Sequence, residues 1–129
     1  MPTSTEPAAP LLPRNFLRPC VLLLLRESPA HGYDLLERLA AFGFAKQDPG
    51  GLYRALRALE DEGLVRSSWE ASDQGPDRRI YEITRAGAEH LHEHALALQS
   101  TADVLHAFLG RYEEFVALPE RPRAARALR

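Results

Sequence analysis

The sequence is poor in the residues that mark several protein classes. Its one cysteine, Cys20, allows no internal disulfide and suits a reducing compartment. Cys20 opens the longest apolar run, Cys20-Val21-Leu22-Leu23-Leu24-Leu25, which is far too short to span a bilayer. A cysteine in such a run reads as a small buried hydrophobe. Residues 1–13 carry no Lys or Arg ahead of an apolar stretch and so lack the pattern of a secretory signal. A Gly-rich phosphate loop, a nucleophile elbow and a Ser/His/Asp arrangement are also missing. The expectation is a cytoplasmic, non-enzymatic protein with no cofactor and no membrane partner.

Lysine is nearly absent as well. The chain has fifteen arginines against Lys46, and the formal net charge is −2 over 129 residues. Net acidity argues against nucleic acid, since most DNA-binding modules are basic. The distribution answers that objection in part. Arginine is the side chain suited to bidentate contacts with phosphate and guanine, whereas three acids cluster at residues 60–62.

What is present is helical first and extended later. Residues 1–13, with four prolines, read as a disordered leader. Residues 15–27 suggest a buried first helix with Pro19 in its first turn. Ser28-Pro29-Ala30-His31-Gly32 reads as a turn, with Gly32 relaxing the backbone. A second helix follows from about Gly32 to Phe42, with Tyr33, Leu36, Leu39 and Ala40 on its buried face. After a connection at 43–48, Leu52, Ala55, Leu56 and Leu59 recur at i, i+3, i+4 and i+7 and predict a third helix over 49–62. Asp48 suits its N-cap, Pro49 its first position, and Gly63 its stop. The outer face of that helix carries Gly50, Gly51, Tyr53, Arg54 and Arg57: glycines for close backbone approach, a phenol and two guanidinium forks.

Beyond Gly63 the period changes to two. Val65, Ser67, Trp69 and Ala71 alternate with polar residues, and a second alternating run covers 78–83, across the turn cluster Asp73-Gln74-Gly75-Pro76-Asp77. The pair predicts a β-hairpin, with Arg78 and Arg79 just beyond its tip and Trp69 packing the hairpin against the core. Strand neighbours point to opposite faces, so one of the two arginines faces a ligand at a time. Thr84 caps a long helix. Leu91, Leu98, Leu105 and Tyr112 recur every seven residues, with Ala95, Ala102, Leu109 and Val116 four residues after each. That heptad is the mark of a helix that packs on a partner helix. Residues 119–129 read as a basic tail.

The order predicts a mainly α protein with a small β-hairpin: a winged helix-turn-helix over 14–84, followed by a long C-terminal dimerisation helix over 85–118. In that fold the third helix enters the major groove and the hairpin tip reaches the flanking backbone or minor groove. A dimer implies a pseudo-palindromic operator on double-stranded DNA. The dimer contacts expected are Leu91, Leu98, Leu105, Leu109 and Tyr112.

At this point the residues resemble the PadR-like transcriptional regulators. The resemblance covers roughly 16–100. It rests on 21–25 followed by His31-Gly32-Tyr33-Asp34-Leu35, on Gly51-Leu52-Tyr53-Arg54-Ala55-Leu56 with Leu59-Glu60 and Glu62-Gly63-Leu64-Val65, and on Arg78-Arg79-Ile80-Tyr81-Glu82-Ile83-Thr84 with Gly87. The single long helix after them looks like the smaller subclass of that family. The resemblance implies a cytosolic homodimer that represses nearby genes and is often released by a small-molecule effector. Many members carry Ser or Thr where this chain has Gly51, so a backbone N–H or Tyr53 must make the phosphate contact of that hydroxyl.

Two other constellations compete for attention. His90 and His94 share a helix face at metal-ligand spacing, but no Cys or second His group completes a site, and no metal is expected. Trp69 is the low-ranking candidate for an effector contact. The rival reading is a winged-helix adaptor that dimerises without reading DNA, and it rests on the net acidity and on Gly51.

Overall fold

The computed structural model of the chain describes residues 9–42 and 49–120. The first eight residues of the leader, the connection with Lys46 and Asp48 as the expected N-cap, and 121–129 of the basic tail lie outside the described residues. The elements run α1 (Leu17–Glu27), β1 (Ala30–His31), α2 (Gly32–Leu39), a 3-10 turn (Ala40–Phe42), α3 (Pro49–Asp61), β2 (Val65–Glu70), β3 (Arg78–Ile83) and α4 (Arg85–Glu113). The chain forms two compact units, one ending at Ala95 and one beginning at Leu96.

The first unit is built around leucine. α1 buries Cys20, Val21, Leu22, Leu24 and Leu25, α2 buries Leu35 and Leu39, and α3 buries Leu52, Leu56 and Leu59. Val65 and Tyr81 bring the strands onto the same cluster, and Leu91 of α4 packs against it, partly buried. Pro19 stands in the first turn of α1, where its missing N–H has no intrahelical partner to lose. Arg38 of α2 ties down the end of α1, donating to the Glu27 carboxylate at 2.5 Å and the Leu24 carbonyl at 3.4 Å.

The end of α3 follows from Gly63. Its φ of +76° is the left-handed conformation that ends a helix. Gly63 N–H donates to Glu60 and Leu64 N–H to Leu59, at 3.0 and 2.9 Å, while Leu59 and Leu64 are both buried beneath the turn. Thr84 then does two things: its hydroxyl donates to the Gly63 carbonyl at 2.7 Å and accepts the Gly87 N–H at 3.0 Å, capping α4 as expected.

Three expectations are corrected. The 28–32 segment is not only a turn, because Ala30 and His31 pair antiparallel with Tyr81 and Ile80. The sheet therefore has three strands in the order β1-β3-β2 rather than a lone hairpin. Two residues are too few to show alternation. Tyr33 is not on the buried face of α2: it is 68% exposed, while Gly32, Leu35 and Leu39 face inward. Two residues before Leu35 on a helix is about 200° around the axis, so burying Leu35 and Leu39 turns Tyr33 out. Trp69 does not pack the hairpin onto the core either. It is 66% exposed, because the sheet has left the core by the Trp69–Arg79 pair.

In the second unit α4 continues to Glu113, and a turn follows in which Phe115 N–H and Val116 N–H donate to the Tyr112 carbonyl. Val104, Leu105, Phe108, Tyr112, Phe115 and Val116 are all exposed, and Leu98 and Leu109 are half-buried.

Gly87 has no room for a side chain. A Cβ there would run into the Leu64 carbonyl oxygen and lie 2.7 Å from the Ile83 side chain. Gly87→Ala is expected to cost about 1–3 kcal/mol, read as a lower urea midpoint at unchanged slope. Cys20 offers a second check. Burial pushes its thiol up to about 12, so the reactive thiolate is scarce and enclosed. A thiol reagent at about pH 8 should leave the native protein unlabelled and label it fully in guanidinium.

Candidate nucleic-acid interface

The leucines of α3 decide what its other side presents. With Leu52, Leu56 and Leu59 inward, Gly50, Tyr53, Arg54 and Arg57 share the outer face and are exposed, with Gly51 at its border. The sequence-derived outer face is thus brought together on one helix side. Arg57 makes no ion pair among the described residues, while Glu60 and Glu62 at the far end are held by other arginines. Arg18 of α1 donates to Glu62 at 2.8 Å, and that hydrogen bond holds the carboxyl below the usual carboxylate range.

Tyr53 does not project straight outward. A Cβ on Gly32 would collide with its hydroxyl and lie 2.8 Å from two of its ring carbons, so the hydroxyl end of the phenol sits against the first residue of α2. Gly32 is therefore the seat of an α3 side chain as well as a flexible joint. Tyr53 remains 46% exposed where α2 and α3 meet.

The hairpin beside α3 separates the two arginines. Trp69 pairs with Arg79 and Glu70 with Arg78 across the ladder, so Arg79 shares its face with Ser67, Trp69 and Tyr81. Arg79 is heavily engaged there. Its Nε donates to the Ser67 hydroxyl at 2.9 Å and its Nη2 to Glu60 at 3.4 Å. The guanidinium lies 5.7 Å from the Trp69 ring centre and 5.9 Å from that of Tyr81. Ser67 in turn donates to Glu60 at 2.6 Å. The group binds the end of α3 to both strands of the hairpin. Arg78, on the opposite face, makes no ion pair among the described residues and is exposed.

Sequence reasoning missed two features here. One is the Glu60–Ser67–Arg79 group, whose members are distant in sequence. The other is a cleft of about 510 Å³ between the start of α2, Tyr53 and the first half of β3. The pairing of β1 with β3 stops at His31 and Ile80, which leaves the edge of β3 uncovered at Arg78 and Arg79. Burial raises the phenol of Tyr81, which also lines this cleft, above its ordinary value against the opposing pull of Arg79.

His90 and His94 meet edge to face with ring centres 5.9 Å apart, and among the described residues no three His, Cys, Asp or Glu side chains are grouped to hold an ion. Among the described residues no helix is long and apolar enough to cross a membrane.

Comparison with known proteins gives this surface its context. No curated protein matches the sequence. Among solved structures, a PadR family transcriptional regulator from Eggerthella lenta is 34% identical, with 74% of this chain and 80% of that one aligned at a TM-score of 0.61. A PadR-like regulator from Bacillus cereus is 29% identical over 72% of this chain and 90% of that one, at a TM-score of 0.65. PadR of Bacillus subtilis, solved in complex with operator DNA, is 26% identical over 60% of this chain and 45% of that one, at a TM-score of 0.55. Residues 21–93 match the transcriptional regulator PadR-like family, and the chain belongs to that family.

Proposed function

We propose that the chain is a homodimeric, sequence-specific DNA-binding repressor acting in the cytoplasm on a pseudo-palindromic operator. The observation that carries this reading is the outer face of α3. Its Gly50, Tyr53, Arg54 and Arg57 side is exposed while its leucine side is locked into the core. An exposed helix face bearing arginine forks beside a β-hairpin has the shape and donors to enter a major groove. Arg54 and Arg57 read base edges, Gly50 and Gly51 let the helix start approach the backbone, and of Arg78 and Arg79 it is Arg78 that serves the flanking phosphates, Arg79 being held by Glu60. The DNA-bound Bacillus subtilis relative supports the same use of the fold. Regulators of this family resemble switches released by a small molecule, and release by an effector belongs to the proposal without a residue assigned to it.

Dimerisation supplies what one domain of modest charge lacks. Leu98, Leu105, Leu109 and Tyr112 continue the heptad along the second unit, and Leu105 and Tyr112 are exposed in the single chain. Leu91, the first heptad leucine, packs on its own core instead. A seam from Leu98 onward would bury the exposed leucines against a second copy and set two α3 helices about one turn of DNA apart.

Arg54→Ala and Arg57→Ala are each expected to weaken operator binding by about 1–3 kcal/mol and to leave the dimer intact. Fluorescence anisotropy on a duplex selected from a random pool measures this, and unchanged affinity in both variants would remove α3 from the interface. A wild-type protein with neither sequence preference nor salt dependence would favour the adaptor reading instead. Leu98→Asp combined with Leu105→Asp should give a monomer by analytical ultracentrifugation with its helical circular dichroism largely kept. A persisting dimer would place the contact elsewhere.

A further inference from the structure

The interface described above takes in Tyr53, Arg78 and Arg79 but leaves Tyr33, which lines the same cleft beside β3, without a role. Tyrosine comes from two helices, Tyr33 from α2 and Tyr53 from α3, and Arg78 comes from the open edge of β3. Tyr33 is one of the most exposed aromatic side chains of the first unit, yet its neighbours Gly32 and Leu35 are fully committed to packing. The collision a Gly32 Cβ would have with the Tyr53 hydroxyl shows that the α3 phenol reaches across to α2, beside Tyr33. A phenol anchored there leans toward α2 rather than straight out from α3.

One acid, Asp34, borders the cleft, beside the imidazole of His31. Asp34 lies 3.5 Å from His31 Nδ1, and the opposite ring nitrogen, Nε2, lies 3.7 Å from Glu70. His31 thus stands between the two carboxylates, with Nε2 buried and without a hydrogen-bond partner among the described residues. Arg79 is held by Glu60, so Arg78 is the cation left to face an incoming anion. Two neutral hydroxyl donors around one guanidinium match the oxygens of a phosphodiester.

We propose that this cleft seats one phosphate of the DNA backbone in each half-site, with Tyr33 and Tyr53 donating their hydroxyls and Arg78 supplying the charge. The proposal rests on the DNA-reading function above and adds Tyr33 to it. It assigns Tyr53 to the sugar-phosphate backbone rather than to the bases. It also supplies the phosphate-directed hydroxyl that Gly51 cannot.

The test uses the full-length chain and a duplex selected by the wild type from a random pool. Tyr33→Phe removes one hydroxyl from an exposed side chain, so the fold is expected to survive, checked by its thermal midpoint. Affinity should fall roughly three- to tenfold, equally on the selected and on an unrelated duplex. Arg78→Ala should lower the slope of log affinity against log salt by about one. A scan of single methylphosphonate substitutions should find one position per half-site where the wild type is weakened and Tyr33→Phe is weakened no further. Wild-type affinity in Tyr33→Phe, or losses that multiply at every position, would overturn the seat while leaving the DNA reader standing. A wild type that selects no duplex would overturn both. Inorganic phosphate tests the remaining source of the same chemistry. Stabilisation by it at constant ionic strength, lost in Arg78→Ala, would identify a free-anion site and overturn the assignment to DNA.

Discussion

Everything the surface of this domain presents depends on three leucines of α3 being held under α1 and α2. Leu52, Leu56 and Leu59 are essentially inaccessible, as are Leu22, Leu25, Leu35 and Leu39 around them. Burying a leucine contributes about 1.5–3 kcal/mol, so rolling α3 by even one residue would sacrifice several such contacts at once. The rotation of the helix is thereby set, and with it the direction of Arg54 and Arg57. The surface needs no rigidity of its own, because it borrows that of the core.

The hairpin inherits its position from the same helix. Gly63 turns the chain out of α3 with its two helix-ending hydrogen bonds, and β2 begins two residues later. Thr84 and Gly87 then close β3 and the start of α4 back onto that turn. Glu60 completes the link, accepting from Ser67 on one strand and Arg79 on the other. An acid at the end of the helix proposed to read DNA is a handicap for binding a polyanion. Here its charge is met by Arg79, and what it contributes is the angle between helix and hairpin.

Much of this was legible because it is local or periodic. The leucine spacing of α3, Gly63 as its stop and Thr84 as the cap of α4 each express a rule that acts within one turn of chain. The misread residues are those decided by distant partners. Ala30 and His31 are extended because Tyr81 and Ile80, some fifty residues later, offer them a ladder. Spacing puts Tyr33 on one face with Leu36, Leu39 and Ala40, but the fold turns Gly32, Leu35 and Leu39 inward instead. A lone tryptophan in mid-strand points to packing, whereas the hairpin carries Trp69 past the core and the Arg79 guanidinium stands over its exposed ring. Gly32 was read as a joint, and only the fold shows that its missing Cβ makes room for Tyr53.

The net charge of −2 weighs least once the pairings are known. Glu27 is taken by Arg38, Glu62 by Arg18, Glu82 by Arg66, Glu60 by Arg79 and Glu89 by Arg85. Most of these pairs are exposed and contribute little to stability. Their consequence is electrostatic: each acid has a cation within about one side-chain length, and its field is largely cancelled beyond the Debye length of about 8 Å. Arg57 and Arg78, which form no such pair among the described residues, stand on α3 and on the hairpin. A chain that is acidic in sum can still leave a guanidinium on α3 and one on the hairpin for a ligand.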